Sequence, residues 1–581
     1  MFITFFESFT EYRDALAVKK QKSERETHVL SSVNLLLSTL STDYPTTLAT
    51  IDRLTAHGEI TFELLYAILV PRSVFVAYCV VTGKPRLFTL ASFMRTTADG
   101  KPVYQLSCEG FDLVDKMSQQ KATFGKTQAM VYLQSFKGTV KIQDLDAYPL
   151  KYHPEPEKLR AALLQRGKKW ASLVGVHHMQ YNGIAALKSE DKLVKHSVNG
   201  RIMVDRATFR RLNANYPLPV SCAPIDAGIF QPAYVPQVSV ESLPIPRRNT
   251  GLMMHPPMPP PPLPHVTPWQ SPYSNGTLVQ STPNDDDSND DLADDDLILA
   301  STLVYGFSLS DKIWLEFDVE KVQPVEWNED AFGNLVLHST RKDLLRSLVE
   351  AHHNELGFDD FIKGKGHGLV INLFGPPGVG KTFSAEATSE HVKRPLYVIG
   401  GGDLGTKAST MDATLERIFD VATAWKAIVL IDEADVFLEQ RSLHDLERNA
   451  MIAVFLRHVE YYRGILFLTT NRVQAFDEAF LSRIHVALHF HELSQASKEQ
   501  VWTAFIAKLG ASNAITITPE QITELAKRDV NGRQIKNAAR TAQSLAVGRG
   551  EKIDYSHFVE TLDAMAEFTK EFQVLRKDQH R

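Results

Sequence analysis

Five stretches of this sequence carry residue types, at spacings, that fit work on the phosphates of a nucleotide. The first is Gly375, Pro376, Pro377, Gly378, Val379, Gly380, Lys381 and Thr382. Its glycines let successive backbone N–H groups turn inward around an anion, and a helix starting there adds partial positive charge. Lys381 is then placed to reach the β- and γ-phosphates, and the Thr382 hydroxyl to help hold Mg²⁺. The second stretch, Ala427 to Asp435, ends an apolar run in adjacent carboxylates. Neighbouring strand residues point to opposite faces, so Asp432 can bind Mg²⁺ while Glu433 polarises an attacking water as general base. In the third, Ile465 to Arg472, Asn471 stands where an apolar strand ends. Its amide can orient that water, a strand-ending turn being the plainer alternative. The fourth, Phe476 to His485, offers Arg483. An arginine there can reach a neighbouring subunit and stabilise charge developing on its γ-phosphate, or simply lie on the surface. The fifth, Asn531 to Lys536, sets Arg533 at a helix start, from which it can report nucleotide state or merely face solvent.

Each stretch needs a frame. The apolar run Leu369 to Phe374 predicts a strand and Ser384 to His391 a helix, the order a phosphate-binding loop requires. Strand and helix alternate from Gly368, which predicts an α/β P-loop NTPase domain over 368–492, a parallel sheet flanked by helices. The mostly helical pattern of 493–581 predicts a lid. Upstream, residues 1–55 read as a helical region and 56–217 as a mixed α+β module. Its short apolar runs are separated by turns such as Thr82-Gly83-Lys84 and Asp99-Gly100-Lys101, which predict antiparallel strands. Leu64 to Val81, broken by Pro71-Arg72, reads as two buried strands joined by a turn. Glu155 to Val174 predicts a helix whose basic stretch, Arg160 to Lys169, is a solvated face or a binding face. Met179 to Gly183 and Asn199 to Asp205 read as short pieces. Residues 218–298 predict a disordered linker, with polyproline II at Pro256 to Pro264 and an acidic run at Asn284 to Asp296. It serves as a spacer or as a P-x-x-P ligand. Strands and a helix over 299–367 then read as the lead-in to the nucleotide domain.

At 581 residues the chain is too long for one core. A formal charge of −6 gives no reason to expect nucleic acid as an obligate partner. Cys79, Cys108 and Cys222 are far apart with no metal-ligand spacing, which fits a reducing intracellular compartment. The cytoplasm is the first expectation, with the nucleus or mitochondrion open. No stretch reads as a transmembrane segment.

Taken together, residues 300–580 resemble the AAA ATPase family. Gly375 to Thr382 resembles its Walker A, Ala427 to Asp435 its Walker B, Asn471 its sensor 1, Arg483 its arginine finger and Arg533 its sensor 2. Asp435 to Arg441 resembles a D-x-x-x-x-x-R continuation common there. The wording Leu430 to Glu439 and Leu468 to Val473 looks most like a fungal AAA group carrying an N-terminal domain of unknown function. Tyr148 to His153, Arg166-Gly167 and Gly200 to Asp205 resemble that domain. The resemblance implies ATP and Mg²⁺, hydrolysis to ADP and phosphate, and a homo-oligomeric ring, by family a hexamer. It implies a motor remodelling an unidentified protein, with the N-terminal module as adaptor. A slowly cycling nucleotide-regulated switch or scaffold stays open, as does a nucleic-acid-associated ATPase, against which the acidic linker speaks. Two departures stand out. Leu481 to His485 is shorter than the usual two-arginine segment and closer to the Ser-Arg of clamp-loader subunits. Gly400 to Asp412 lacks the aromatic with which threading relatives grip polypeptide, which argues against hand-over-hand threading.

Overall fold

A computed structural model describes residues 2–98, 100–115, 122–189, 192–219, 292–353, 368–438, 445–472, 478–510 and 515–578. Most of the expected linker, with Arg441 and Phe476-Asp477, lies outside the described residues.

Three helices open the chain: α1 (Phe6–Val18), α2 (Glu24–Asp43) and α3 (Pro45–Ala56). A reciprocal cap between Ser23 and Glu26 starts α2, and Pro45 starts α3 at a position that needs no N–H. The next strands are β1 (Glu59–Thr61), β2 (Val74–Tyr78), β3 (Pro85–Ala98), β4 (Lys101–Asp115), β5 (Ala122–Gln134), β6 (Thr139–Lys141) and β7 (Ala147–Pro149). Five of them form an antiparallel sheet in the order β5-β4-β3-β2-β7. Gly83 and Gly100 supply the left-handed turns anticipated there, at φ 69° and 73°. The first strand expected in Leu64 to Val81 is instead a 3-10 turn, Phe62–Ala67. It buries Phe62 and Leu65 by helical spacing, and only β2 is extended.

A second sheet changes the expected domain plan. After α4 (Pro156–Ser172) come β8 (Val176–Ser189), β9 (Lys192–Asp205), α5 (Arg206–Leu212), α6 (Asp294–Leu297), β10 (Leu303–Ser308), β11 (Ile313–Asp318) and β12 (Val322–Pro324). The pieces read as short in Met179 to Asp205 are one long hairpin, β8–β9. The order β11-β10-β9-β8-β12, with β11 also meeting β8 at Glu316↔Ala186, curls the sheet on itself. Residues 303–324 therefore complete the N-terminal module and are not a separate lead-in to the nucleotide domain. The end of the acidic run is also ordered. Asp294 and Asp295 pair with Lys168 (3.6 Å) and Arg160 (3.0 Å), so the basic face of α4 meets this chain's own carboxylates. Gly167 permits the approach, because a Cβ there would lie 2.1 Å from the Leu297 carbonyl oxygen. One apolar core runs from Ile60 to Val322 through both sheets and α4.

The nucleotide domain comprises α7 (Ser339–His353), β13 (Leu369–Phe374), α8 (Lys381–Val392), β14 (Leu396–Gly400), α9 (Ala408–Ala424), β15 (Ile428–Asp432), α10 (Asp435–Leu438), α11 (Leu446–Tyr461), β16 (Ile465–Thr470), α12 (Glu478–Leu481) and β17 (Val486–His489). All its strands are parallel, in the order β14-β15-β16-β13-β17. Strands covered on both faces must be apolar almost throughout, as Ile428 to Ile431 and Ile465 to Leu468 are. One face packs on α7 and α8, the other on α9 and α11. The lid holds α13 (Gln495–Gly510), β18 (Ile515–Thr516), α14 (Pro519–Ala526), α15 (Gly532–Arg549), β19 (Ile553–Asp554) and α16 (Tyr555–Asp578), around Trp502 and Phe558. No helix among the described residues is long and apolar enough to cross a membrane.

The N-terminal module rests directly on the nucleotide domain. Met203 and Phe307 join the core of its α9 face, with Phe307 stacked on Tyr397 at 5.7 Å. The buried Trp425 indole donates to Asp205 Oδ2 (2.8 Å).

Candidate functional site

The C-terminal ends of β13, β15 and β16 bring the predicted residues together, at the edge where parallel sheets hold their ligands. Between β13 and α8 the glycine-rich loop turns back on itself. Lys381 opens α8 and is almost fully buried. Its ammonium donates to the carbonyl oxygens of Gly375 (2.8 Å) and Pro376 (2.6 Å) and to Asn471 Oδ1 (2.8 Å). Burial lowers its pKa, as does Arg533, against the opposing pull of Asp432, Asp435 and Glu433. Three of the predicted site residues, Asp432, Glu433 and Arg533, thus lie in the field of one lysine.

Thr382, next on the helix, donates to Asp432 Oδ1 (3.0 Å). That oxygen also accepts from Thr469 Oγ1 (2.5 Å), and Thr469 Oγ1 in turn accepts from the Glu433 backbone N–H (3.0 Å). The expected pleat alternation between the two carboxylates gives way to something sharper. Glu433 has left the strand and sits at φ 55°, a left-handed backbone in which a non-glycine residue is strained. Its bond to Thr469 holds that turn, and its side chain is exposed beyond the strand end.

Thr469 and Thr470 also belong to this cluster, though the sequence alone points to no role for them. Both are buried at the end of an otherwise apolar strand. Thr470 Oγ1 donates to Asp435 Oδ1, which also accepts from the Asn471 backbone N–H (3.2 Å). The signal was present in the run Thr469-Thr470-Asn471, where three polar side chains end a strand whose other residues are Ile, Leu and Phe.

The lid touches the loop. Asn531 caps α15 by accepting from Gln534 N (3.0 Å), and its side chain crowds Gly378. A Cβ at Gly378, where φ is 78°, would lie 2.6 Å from Asn531 Oδ1. Arg533 is exposed in the first turn of α15, close enough to act on Lys381 through its charge. Glu386 on α8 is exposed at its tip, yet the protein packed around it raises its pKa by desolvation, with Lys536 of α15 opposing the rise.

Arg483 is the one predicted residue not gathered into this cluster. Its guanidinium donates to Ala479 O (2.6 Å) and to Glu460 Oε2 (2.7 Å) at the end of α11, and is about a quarter exposed.

Thr382 and Asp432 present hard oxygen donors side by side, the chemistry that suits magnesium. Among the described residues no cluster of three or more His, Cys, Asp or Glu forms a separate metal site.

A glycine-rich phosphate loop, an acidic strand end and a polar strand end on a sheet of order β14-β15-β16-β13-β17 define a P-loop ATPase domain. Residues 371–492 match the model of the "ATPase family associated with various cellular activities (AAA)", and residues 50–154 match DUF7025, a domain of unknown function. This chain carries an AAA ATPase domain with an N-terminal DUF7025 domain. It is similar to human ATPase family AAA domain-containing protein 3B, 29% identical over 179 residues, covering 30% of this chain and 27% of that protein. Human ATPase family AAA domain-containing protein 3A is 26% identical over 224 residues, 38% of this chain and 37% of its own length. Fidgetin-like protein 1 of Drosophila melanogaster is 30% identical over 192 residues, 31% of this chain and 35% of that protein. The chain thus spans roughly a quarter to just over a third of the length of these curated relatives. Among solved structures, the FIGL-1 AAA domain in complex with ADP covers 41% of this chain and 89% of its own, at 20% identity and a TM-score of 0.32.

Proposed function

We propose that this protein hydrolyses ATP to ADP and phosphate in a magnesium-dependent reaction, and that it does so in a homo-oligomeric ring that remodels a protein or protein complex. The observation that carries the reading is the hydrogen-bonded cluster joining Lys381, Asn471, Thr382, Asp432 and Thr469, with Glu433 turned out beside it. In it, phosphate oxygens would take over from the two loop carbonyls that now accept from Lys381. Thr382 and Asp432 would hold the magnesium ion, whose chemistry is to neutralise charge across the phosphates. Glu433 would accept the proton of the attacking water and Asn471 would orient that water. Arg483 of a neighbouring copy would meet charge developing on the γ-phosphate. Arg533 would carry the nucleotide's state into the lid.

A second reading, a slowly cycling switch, is favoured by one contact: Arg483 is tied within its own chain to Glu460. Threading is not part of the proposal. The turn after β14 carries no aromatic and is pinned by an ion pair between Asp403 and Lys312 of the N-terminal module. We place the protein inside the cell, on the dispersed cysteines and their lack of metal spacing.

The test is Glu433→Gln. It should bind ATP normally yet lose about a hundredfold or more in turnover, read as phosphate release. Unchanged turnover removes Glu433 as the base.

A further inference from the structure

The N-terminal module reaches the far end of the helix that carries the phosphate-binding lysine. α8 starts with Lys381 and Thr382 and runs to Val392, a rod roughly 18 Å long. Near its tail, Glu390 uses both carboxylate oxygens. Oε1 accepts from Arg201 of β9 (2.6 Å) and Oε2 from the Asn328 backbone N–H (3.0 Å). Arg201 is itself fixed, its guanidinium lying 4.6 Å from the centre of the Trp327 ring. Trp327 packs edge-on against His178 of β8 at 5.3 Å. Arg201 and Glu390 are only 23% and 18% exposed, so their attraction is less screened than that of a surface pair. Around them His391 stacks on Phe332 (4.9 Å) and Lys393 pairs with Glu329 (3.2 Å).

The pair is not what seats the module. That is done elsewhere, by Met203 and Phe307 in the α9-side core and by the Trp425–Asp205 bond. A planar cation stacked on an indole and aimed at one carboxylate gives direction more than adhesion. What it directs is the axis of the helix whose first turn places Lys381 against Asn471 and Thr382 against Asp432.

We infer that Arg201 is a positioning residue for the nucleotide site: through Glu390 it sets where α8 places Lys381 and Thr382, so that the N-terminal module and ATP turnover are coupled. This rests on the ATPase reading above. Where the coupling acts on nucleotide binding it is reciprocal: a ligand of the module that changed ATP affinity by some factor would have its own affinity changed by ATP by that same factor.

The experiment uses the full chain and measures kcat, KM and the affinity of a non-hydrolysable ATP analogue. Variants are Arg201→Ala, Glu390→Gln, both together, and Arg211→Ala. The last removes a different ion pair across the same contact, Arg211 to Asp420 on α9. Arg201→Ala should lower kcat/KM about five- to tenfold. The double variant should be no worse than the stronger single, because both break one interaction. Arg211→Ala should leave all three constants at wild-type values. A purely adhesive role predicts that Arg201→Ala and Arg211→Ala behave alike, shifting the melting temperature without moving the kinetic constants; that result, or additive losses in the double variant, overturns the inference. If the wild-type chain neither binds nor hydrolyses ATP, the ATPase reading fails and takes this inference with it. Normal wild-type turnover with an unaffected Arg201→Ala removes this inference alone.

Discussion

Thr469→Val tests whether the acidic strand end works as a unit. Valine matches threonine in shape, so the 2%-exposed site stays filled and only the hydroxyl is lost. That hydroxyl makes two bonds, donating to Asp432 Oδ1 and accepting from the Glu433 N–H at 3.0 Å. A bond to a charged group contributes about 1.5–3 kcal/mol, and an N–H left without a partner costs about 1–3 kcal/mol where it is buried. The Glu433 amide sits at an exposed turn, where water can replace part of the loss, so about 2–4 kcal/mol is a reasonable total. If half of that is felt only when Glu433 must be aimed at water, the barrier rises by about 1–2 kcal/mol and kcat falls about five- to thirtyfold. KM for ATP should change little, because Thr469 faces the carboxylates and not the glycine loop. Phosphate release under saturating ATP, beside a thermal melt, reads both effects. A kcat within twofold of wild type would refute the idea that this hydroxyl holds the strained turn at Glu433.

Three further outcomes follow from the geometry. Mixing wild-type and Arg483→Ala chains in rising ratio should lower activity faster than in proportion if each site borrows an arginine in trans, whereas a strictly proportional loss points to independent chains. Gly378→Ala forces a Cβ to within 2.6 Å of Asn531 Oδ1 at φ 78°, a strain of about 1–3 kcal/mol that should weaken binding of an ATP analogue in calorimetry; unchanged affinity would show that the lid's first turn does not rest on the loop. His178 is held to a pKa of about 4 by burial and then by Arg201, below its ordinary value of 6.5. Its folded-state pKa is depressed, so the stability it contributes is present above pH 6.5 and is lost as pH falls toward 4. His178→Phe should flatten the decline in melting temperature across that window, and an unaltered slope would place the acid sensitivity elsewhere.

The nucleotide domain was legible because its chemistry is local. Leu369 to Phe374, the glycines and Lys381 are consecutive, and each apolar strand announces itself by length and by the polar residue that ends it. Asp432, Asn471 and Arg533 came from different stretches, yet each stands at the end of a patterned element, where the alternating strand–helix order must converge. What could not be read was set by contacts distant in sequence. By sequence Glu433 continues the pleat of a strand, but its left-handed turn depends on a threonine hydroxyl thirty-six positions away. Arg201 lies in the short piece Asn199 to Asp205, and nothing near it in the sequence points to Glu390. The β8–β9 hairpin reads as short pieces because its polar half, with Lys188, Lys192 and Lys195, dilutes the alternation that marks a strand. Residues 303–324 read as a lead-in because they stand just before the phosphate loop, whereas their pairing partners lie roughly 100 to 145 residues upstream.

That last pairing alters how the stretch from 220 to 291 must be understood. The chain leaves the N-terminal module after residue 219 and re-enters the same module at 292, so both ends of the stretch are anchored in one folded unit. It is an insertion closed at its base, not a tether between two bodies. A single proteolytic cut within it would leave two fragments held together by β9 against β10 and β8 against β12. The nicked protein should therefore run as one particle under native conditions and separate only in denaturant, and no change in the insertion's length could by itself alter how far the module stands from the nucleotide.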